Sequence, residues 1–501
     1  MRKWGPLTAV CLGTFMLLLD VTIVIVALPD MARALDASLS DLQWVIDGYA
    51  LALAALLLGI GAAADRLGRR RVHVVGIVLF AAASLACGLA SSPGLLVAAR
   101  GVQGVGAAAM FATTLPLLAS VYGGKDRSVA LGLWGAVAGG AAAIGPVVGG
   151  LLTEGPGWRW IFYVNLPVSV AAVWLTGRTV PESHGARDRR TDWAGTAAFA
   201  VFAGAATYAV VRAGSVGWAS GQTLATFGIA ALALVCFVLV ELRVAHPLLD
   251  LSLFRTSAFT GVMAGALAFN MAAFGVLPYT SIWLQTVLGL SPVQGGLAVL
   301  PLAATSFVVA AVGGRLLHGA PPRLTIGVGL VLVGAGTLGQ AVLGEGSSWP
   351  VLIPGLVVAG IGTGLVSPAI AGAALAAVPP ERAGMAGGAV NTFRQLGYAF
   401  GVAVLGTVLT ARMGESLGDG KSHALAGGGA EGLRAAGVPE QALRSAFASG
   451  LNTAAVVAGA VGIVAGVAVL LLVKGRKTVP GAPEAPGAVG GGAVAEAVRA
   501  G

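Results

Sequence analysis

Long apolar stretches, separated by short polar segments, run along almost the whole chain. A bilayer core about 30 Å thick is crossed by a helix of roughly 20 apolar residues, and we find fourteen stretches of suitable length and composition. This pattern predicts an all-α polytopic membrane protein. The predicted transmembrane helices are residues 7–28, 42–64, 72–90, 94–119, 129–152, 160–177, 193–211, 222–241, 258–285, 295–317, 324–343, 351–375, 388–411 and 449–473.

The composition agrees with a membrane environment. Hydrophobic residues make up 57% of the 501 residues and charged residues 10%, whereas soluble domains carry about a quarter charged residues. The 77 glycines suit membrane helices, in which small residues allow close packing. The net charge of +9 comes from basic residues scattered through short loops rather than gathered on one face, so we expect no nucleic-acid partner.

The cysteines and the first apolar stretch carry no special signal. Cys11, Cys87 and Cys236 all fall within apolar stretches and lack paired spacing, so we expect neither a disulfide framework nor a metal site. The first stretch is long enough to span the membrane and has no Ala-x-Ala exit. We therefore expect it to be a transmembrane helix rather than a cleaved signal peptide.

Basic residues gather in alternate loops. An even number of spans places both termini on one side, and the positive-inside rule makes that side cytoplasmic. The opposite loops are neutral or acidic, as after the first helix, where Asp30, Asp36 and Asp41 lie. The basic loops contain Arg66, Arg69, Arg70 and Arg71, then Lys125 and Arg127, then Arg178, Arg187, Arg189 and Arg190, and finally Lys474, Arg476 and Lys477.

An internal repeat predicts the architecture. Gly104-Val-Gly106 in the fourth helix and Gly360-Ile-Gly362 in the twelfth lie 256 residues apart, and the same offset relates helices 1–3 to helices 9–11. Two parallel six-helix halves with substrate bound between them are typical of duplicated transporters, although Gly-rich helices can also match by composition alone. The predicted units are a first half (1–178), two inserted helices (179–257), a second half (258–473) and a disordered cytoplasmic tail (474–501). Within the outer loop 412–448, which is rich in Gly and Ala, the Gly-Asp-Gly-Lys stretch (418–421) is predicted to be flexible.

Several motifs occur in order along the chain. Their order and loop placement resemble the major facilitator superfamily and, within it, the fourteen-helix drug:proton antiporter-2 family, which usually has Asn where this chain has Ile25. The resemblance covers nearly all of the chain up to Val473. The motifs are LDVTIVIVALP (19–29), GAAADRLGRRR (61–71), RGVQGVGAAA from Arg100, GAAAIGPVVGG (140–150), WRWIFYVNLP (158–167) and NTFRQLG (391–397).

This resemblance implies a proton-driven exporter of small amphipathic drugs or antibiotics in the plasma membrane. We expect no cofactor, because the proton gradient supplies the energy, and the chain has no phosphate-binding loop for ATP. The expected partners are a small amphipathic substrate, neutral or cationic, together with protons and the bilayer. The protein is expected to act as a monomer. A dedicated exporter of one endogenous metabolite or antibiotic is the alternative. A membrane enzyme or a channel fits less well, because the chain has no catalytic constellation and has the transporter repeat.

Asp20, Asp47 and Arg100 lie well inside predicted membrane helices. A carboxylate in the membrane costs several kcal/mol unless it is paired or hydrated, so such residues are functional candidates. Counting about 1.5 Å per residue places Asp20 and Arg100 at the same depth, and the resemblance assigns this pair to proton coupling. Asp47 lies slightly nearer the outer side. The alternatives are a purely structural ion pair and, for Asp47, contact with interfacial water.

The loop after the second helix is a candidate cytoplasmic gate. Asp65 lies at a helix C terminus, where the helix dipole disfavours an acid, so it needs a basic neighbour or a helix N terminus. The resemblance implies a contact with the start of helix 13 that holds the cytoplasmic side shut. The alternative is that the arginines only fix topology. The gate residues are Gly61, Asp65, Arg66, Gly68, Arg69 and Arg70.

The fifth helix combines a proline with small residues. Proline removes a helix hydrogen bond and glycine allows close approach, so this helix can bend against a partner. The resemblance makes this segment the antiporter signature, whereas generic Gly-rich packing is the alternative. Its residues are Gly140, Gly145, Pro146, Gly149 and Gly150.

Intramembrane aromatic residues with few polar groups predict an apolar substrate pocket between the halves. Each of them also fits lipid-facing or core packing. Arg394 has no evident partner, and a structural or gating role with Asn391 is favoured over substrate contact. The candidate lining residues are Phe15, Phe111, Trp134, Tyr279, Trp283, Asn391, Phe393 and Arg394.

Overall fold

The computed structural model describes residues 2–184, 192–245, 247–316, 320–378 and 383–473, and these form helices and connecting turns without strands. Arg187, Arg189, Arg190, the Lys474–Lys477 cluster and the tail 474–501, named above, lie outside the described residues. The first part of the chain forms α1 (Gly5–Leu35), α2 (Leu39–Leu67), α3 (Arg69–Gly88), α4 (Pro93–Val121), α5 (Gly124–Glu154), α6 (Trp160–Tyr163) and α7 (Asn165–Thr179).

The rest of the chain begins with two inserted helices and continues with a second set. Short 3-10 turns at Leu251–Arg255 and Trp349–Leu352 and a π-helical turn at Trp283–Val287 join these elements. The helices are α8 (Trp193–Val216), α9 (Gly221–Arg243), α10 (Ser257–Phe274), α11 (Leu277–Ile282), α12 (Pro292–Leu316), α13 (Pro322–Leu338), α14 (Ile353–Ala376), α15 (Ala383–Leu417), α16 (Asp419–Ala426), α17 (Ala430–Ala435) and α18 (Glu440–Leu472).

The predicted all-α membrane architecture is confirmed. Within the described ranges, twelve helical segments are long and apolar enough to cross a bilayer, and α5, whose two arms meet at 41°, brings the number to thirteen. The remaining predicted stretch, 324–343, corresponds to α13, an apolar helix shorter than 18 residues. We call the end of the bundle that contains the start of α1 the inner end, and the opposite end the outer end.

Proline explains the breaks within spans. Pro167 follows the break between α6 and α7, and Pro278 follows the break between α10 and α11. A proline has no N–H to bond the carbonyl four residues earlier, which here belongs to Tyr163 or Phe274. In α5 the bend falls at the residue four before Pro146. The predicted ability of α5 to bend is therefore confirmed.

The two glycines of the sequence repeat make the same contact in the two halves. A Cβ on Gly106 of α4 would lie 2.6 Å from the backbone nitrogen of Phe80 in α3. A Cβ on Gly362 of α14 would lie 2.5 Å from the backbone nitrogen of Val333 in α13. Because real Cβ atoms do not approach so closely, only glycine lets these helix pairs pack at this distance. The division of the chain at residues 178, 257 and 473 stays a prediction.

The inserted helix α8 lies along the seam between α2 and α15. At its inner end, a Cβ on Gly59 of α2 would lie 2.7 Å from Thr196 Oγ1. Towards its outer end, the Thr407 hydroxyl of α15 donates to the Val210 carbonyl at 3.3 Å. α9 packs on α8 and has a largely exposed apolar surface. The insertion therefore covers one side of the seam between the halves.

The outer loop 412–448, part of which was predicted to be flexible, is largely helical. It continues α15 to Leu417 and then folds into α16 and α17. Leu425 and Leu433 are buried, and Arg434 pairs with Glu440 at 2.5 Å. Leucines at buried positions and this ion pair order the loop despite its Gly- and Ala-rich composition.

Hydrogen bonds between the two halves lie at mid-depth or at the outer end. Gln285 Nε2 donates to the Val26 carbonyl at 2.8 Å, and the Val293 N–H donates to Glu154 at 3.2 Å. At mid-depth the Thr392 hydroxyl donates to the Ala54 carbonyl at 3.1 Å. In the described part of the chain, the halves are thus bonded away from the inner end.

Candidate transport site in the membrane core

Asp20 and Arg100 form a buried ion pair in the first half. Arg100 Nη1 lies 2.6 Å from Asp20 Oδ2, and the two side chains are 2% and 0% exposed. The predicted match in depth between α1 and α4 is confirmed. Arg100 Nε also donates to the Val45 carbonyl of α2 at 3.0 Å, so the guanidinium ties three helices together.

Polar side chains from two further elements complete the Asp20 site. Gln103 Nε2 donates to Asp20 Oδ1 at 2.9 Å, and Asn165 Nδ2 donates to the same oxygen at 3.1 Å. Both amides also donate to the Ser84 hydroxyl of α3, at 2.9 and 3.4 Å. The site therefore draws on α1, α2, α3, α4 and α7, and it satisfies both Asp20 oxygens.

Aromatic rings cover the arginine. The Arg100 guanidinium carbon lies 4.2 Å from the Tyr49 ring centroid and 6.0 Å from that of Phe162. A desolvated guanidinium over such rings gains about 2 kcal/mol or more from the cation–π interaction. These contacts and the ion pair offset part of the cost of burying the charge.

Sequence analysis missed Gln103, Asn165 and Ser84. Gln103 and Asn165 belong to motifs that were recognised as whole stretches, RGVQGVGAAA and WRWIFYVNLP. Asn165 begins α7 directly after the break set by Pro167, and this position turns its amide into the bundle. A polar residue beside a proline inside an apolar stretch was the available signal.

Asp47 is buried in a different environment. It is fully buried, and within the described residues neither carboxylate oxygen accepts a hydrogen bond. The hydroxyl groups of Tyr49 and Tyr398 are also buried, and no described residue bonds them. Asp47 lies one helical turn from Gln43, which contacts Tyr279 of the second half. A carboxylate in this position loses its hydration without gaining a bond in return.

One helical turn outward, Gln43 bonds the second half. Gln43 Nε2 donates to the Tyr279 hydroxyl at 2.9 Å, and that hydroxyl donates to the Val402 carbonyl of α15 at 2.5 Å. Gly406 makes room for both side chains. Asp47 therefore lies directly beneath a hydrogen-bonded contact between the halves.

The α5 motif faces two helices. Gly145 and Gly149 pack against α1, where a Cβ on Gly149 would lie 2.8 Å from the Ile23 carbonyl oxygen. Gly150 packs against α12, where a Cβ on Gly150 would lie 2.6 Å from the Pro292 carbonyl oxygen. The Pro146 carbonyl contacts Gly296 of the same helix. Gly140 has open space beside it. The motif thus joins α1 to the first helix pair of the second half.

The candidate gate loop is held by a residue that the sequence analysis did not single out. Glu182, which follows α7, accepts hydrogen bonds from the Arg70 N–H at 2.9 Å and from the Arg71 N–H at 3.3 Å. Gly68 has a φ of 106° and packs on this carboxylate, so a side chain at Gly68 would be strained and would collide with it. An acid at the N terminus of α3 suits its dipole.

Asp65 makes a local ion pair. It accepts from Arg69 Nε at 2.8 Å, whereas Arg66 is exposed. Gly61 faces Ala112 of α4. The residues just before α15, 379–382, lie outside the described residues. The implied contact of Asp65 with the start of α15 therefore stays a prediction.

The candidate pocket residues make different packing contacts, and their shared role in a substrate pocket stays a prediction. Trp134 Nε1 donates to Thr14 at 2.9 Å and holds α5 on α1, while Phe111 packs within the first half. Tyr279 and Trp283 are fully buried. Asn391 donates to its own helix, and Phe15 packs on the main core. Depth along a helix was readable from sequence, but the direction in which each ring points was not.

Arg394 has a partner that sequence analysis did not identify. Its Nε donates to Asn270 Oδ1 of α10 at 3.4 Å, and its guanidinium carbon lies 5.4 Å from the Phe269 ring centroid. Asn270 is the polar residue of an otherwise apolar stretch. The contact joins α10 and α15 within the second half and agrees with a structural role.

Phe393 lines a cavity of about 330 Å³ beside the inserted helices. The cavity lies between α8, α9 and the segment after α9 on one side and α2, α10 and α15 on the other. Its walls are apolar. Its lining residues are Ala54, Leu58, Phe199, Phe202, Leu234, Phe237, Val238, Leu248, Leu249, Leu251, Phe254, Leu267, Ala389, Thr392, Phe393, Leu396 and Phe400.

Comparison with known proteins agrees with these observations. Residues 10–402 match the model of the Major Facilitator Superfamily. The multidrug resistance protein Stp of Mycobacterium tuberculosis is 39% identical over 82% of this chain and 76% of its own length. The tetracenomycin C resistance and export protein of Streptomyces glaucescens is 32% identical over 96% of this chain and 94% of its own.

Solved structures show the same fold. A bacterial homologue of the human lysosomal transporter Spinster, solved in an inward-facing and occupied conformation, has a TM-score of 0.66 and 19% sequence identity. The match covers 93% of this chain and 96% of that chain. At this identity the likeness concerns the fold alone.

Proposed function

This chain belongs to the major facilitator superfamily, and from that premise we propose that it is a proton-coupled antiporter that exports small amphipathic drugs or antibiotics. Its relatives include proteins named for multidrug resistance and for antibiotic resistance and export. The chain is a multi-pass membrane transporter rather than an enzyme. Its substrate class and its use of protons are the proposed part.

The observation that supports proton coupling is the pair of buried carboxylates in the first half. Both carboxylate oxygens of Asp20 are bonded, to Arg100 and to two amides. Asp47 has no such partners among the described residues, so the neutral form is the one that its surroundings tolerate. We assign the exchanging proton to Asp47, and Asp20 with Arg100 to the structure that responds to it.

Coupling needs a path from the proton to the contact between the halves. Asp47 lies one turn from Gln43, which bonds Tyr279 of the second half. A charge on Asp47 would demand water or a donor, and either would disturb this contact. Loss of the proton therefore favours separation at the outer end, and binding of a proton favours the closed outer end.

The test is transport into proteoliposomes under an imposed pH gradient. We expect ethidium and rhodamine 6G to move against the proton flow and an ionophore that collapses the gradient to stop the movement. Asp36→Asn, at an exposed acid beside α1, is the matched control and should transport normally. Gradient-independent movement that requires ATP in intact cells would refute the proton coupling.

A dedicated exporter of one compound is the second candidate. The relative that matches almost the whole chain is named for resistance to and export of tetracenomycin C. A broad exporter should show mutual competition between chemically unrelated dyes, at similar concentrations. Transport of a single polycyclic compound, without competition from the dyes, would support the dedicated exporter.

We also assign the gate loop a role in closing the inner end. The Glu182 carboxylate and the Asp65–Arg69 pair keep the loop preformed while the bonds between the halves lie elsewhere. Asp65→Asn should lower transport several-fold without lowering membrane abundance, and Asp41→Asn, at the opposite end of α2, serves as the acid control. Equal transport by the Asp65 variant and the parent would remove this role.

Both termini are proposed to lie in the cytoplasm of a cell whose plasma membrane holds the protein as a monomer. Loop charge supports the orientation. Ala436, an exposed residue after α17, offers a site for an introduced cysteine in a variant without the native thiols. An impermeant thiol reagent should label Ala436→Cys in intact cells and should not label Gly501→Cys. The reverse pattern would invert the topology.

A further inference from the structure

Two carboxylates lie side by side at the inner ends of the inserted helices. Asp192 precedes α8 and accepts from the Gly195 N–H through Oδ1 at 2.8 Å. Glu241, near the end of α9, accepts from the Leu249 N–H through Oε2 at 3.0 Å. The residues are 7% and 5% exposed. Their second oxygens, Asp192 Oδ2 and Glu241 Oε1, are buried and accept no hydrogen bond within the described part of the chain.

The two unbonded oxygens both lie beside Gly195. A Cβ on Gly195 would lie 2.7 Å from Glu241 Oε1 and would also press on Asp192 Oδ2. Glycine at this position therefore leaves room for both carboxylates. Two like charges this close, out of water and with no cation beside them in the described ranges, repel each other. A positively charged group placed between them would remove both penalties.

The apolar cavity begins one helical turn from these acids. Phe199 lies four residues after Gly195 on α8, and Phe237 lies four residues before Glu241 on α9. Their rings are 5.4 Å apart, and both line the cavity. Leu249, whose N–H binds Glu241, also lines it. The carboxylate pair thus lies within one helical turn of the cavity wall.

The site has its charged part at the level of the membrane interface and its apolar part at the level of the acyl chains. Asp192 and Glu241 lie at the inner ends of their helices, at the level where apolar spans meet polar loops. The cavity extends from there to Leu267 and Phe400, deeper in the bundle. An amphipathic cation in a leaflet holds its charge at the interface and its apolar body among the acyl chains.

We propose that this site, the α8–α9 pocket, binds the apolar body of an amphipathic cation in its cavity and the positive charge between Asp192 and Glu241. The pocket is separate from the Asp20 network, and it touches α2 and α15, which belong to different halves. A cation taken from the inner leaflet would bind there beside the seam through which it reaches the space between the halves. The substrate class named here rests on the proposed export function.

Binding to the full-length protein in lipid nanodiscs tests the pocket. The probes are tetraphenylphosphonium, a cation, and triphenylphosphine oxide, a neutral molecule with three of the same rings. The double variant Asp192→Asn with Glu241→Gln keeps an acceptor for the Gly195 and Leu249 N–H groups, and Asn also caps helices well. We expect it to bind the cation about tenfold more weakly and the neutral probe unchanged.

Two further variants make the result specific. Phe237→Ala should weaken binding of both probes, because it removes an apolar wall. Asp36→Asn, which removes an exposed acid at the outer end, should change neither. A cooperative thermal unfolding transition, measured for each variant, shows that the variant is folded. Equal binding of the cation by the double variant and the parent overturns the proposal, as does occupancy of the pocket by a phospholipid chain that the cation fails to displace.

The experiments distinguish failure of the α8–α9 pocket proposal from failure of the proposed export function. Gradient-driven export by the parent together with unchanged cation binding in the double variant would leave the function standing and remove the pocket. Charge-dependent binding in the pocket without any gradient-driven transport would do the opposite.

Discussion

Asp20 and Asp47 lie on the adjacent helices α1 and α2, and both are buried, yet their surroundings differ in every other respect. The carboxylate of Asp20 accepts hydrogen bonds from Arg100, Gln103 and Asn165. The carboxylate of Asp47 accepts none within the described residues, and its neighbours are tyrosines of the second half. The first region is bonded within one half, whereas the second region lies against the other half.

This difference separates two tasks that a buried acid can perform. A carboxylate bonded to an arginine and two amides holds helices together as long as it stays charged, and changing its charge breaks several contacts at once. A carboxylate without bonds holds nothing together, so a proton can come and go at a lower structural cost. The geometry therefore directs stability effects to Asp20 and coupling effects to Asp47.

Arg100→Gln should give the largest loss of stability. It leaves the Asp20 charge buried without its counter-ion, and removing one partner of a buried pair costs about 3–5 kcal/mol. We expect low membrane abundance and a lower unfolding temperature in detergent. Arg178→Gln, at an exposed arginine of α7, is the matched control. Parent-like unfolding of the Arg100 variant would show that the pair contributes little to the fold.

Asp20→Asn combined with Arg100→Gln sharpens the same comparison. No uncompensated charge remains, so abundance should return towards that of the parent. If Asp20 and Arg100 serve only to hold the helices, gradient-driven transport should return as well. If they also respond to the proton, abundance should recover without transport. Proton-driven efflux at the parent rate would restrict the pair to a structural role.

Asp47→Asn should have the reverse effect of the arginine variant. The amide removes a titratable group but breaks no described hydrogen bond, so abundance and unfolding temperature should stay close to those of the parent. Accumulation of dye against a pH gradient should fall about tenfold, while downhill exchange of dye continues. Full gradient-driven accumulation in this variant would contradict the assignment of the proton to Asp47.

The contrast between the two acids was only half visible in the sequence. Apolar stretch lengths gave the depth of Asp20, Arg100 and Asp47, because each helical residue advances about 1.5 Å. Depth does not give the direction of a side chain around the helix axis. The amides that satisfy Asp20 and the tyrosines beside Asp47 come from elements far away in the chain, and a single sequence carries no record of those contacts.

Other misses have equally specific causes. The glycines at 418 and 420 indicated flexibility but not the helix that begins between them, and the composition of the loop gave no sign that Leu425 and Leu433 are buried. The inserted helices were identified only as the two helices left over from the internal repeat, and the repeat did not predict where they pack. Their seam contacts, such as that of Thr196 with Gly59, depend on small residues whose partners cannot be read from hydropathy.

Asn165→Leu should give a smaller loss of stability than Arg100→Gln, because it removes one donor and leaves the ion pair. A hydrogen bond to a charged group contributes about 1.5–3 kcal/mol, and Gln103 still satisfies the same Asp20 oxygen. We expect reduced abundance with measurable transport by the molecules that fold. Asn452→Leu is a less suitable control because it binds backbone, so Asn391→Leu, which bonds only its own helix, is preferred.

Tyr279→Phe and Tyr398→Phe make the smallest changes and test the region around Asp47 most directly. Of the two, only the Tyr279 hydroxyl is bonded among the described residues, to Gln43 and to the Val402 carbonyl. Its removal leaves the Gln43 amide with only its 3.4 Å bond to the same carbonyl and should lower stability by about 1 kcal/mol. The Tyr398 hydroxyl has no partner among the described residues, so Tyr398→Phe should be neutral or slightly stabilising in a thermal unfolding assay.

A transport assay distinguishes the Tyr279 and Tyr398 variants further. Loss of the Gln43 contact should weaken closure of the outer end and raise passive leakage of dye, whereas the Tyr398 variant should stay as tight as the parent. Identical stability and leakage in the two variants would mean that the Gln43–Tyr279 contact does not hold the halves together, and the proposed path from Asp47 to the outer end would then have to run through another contact.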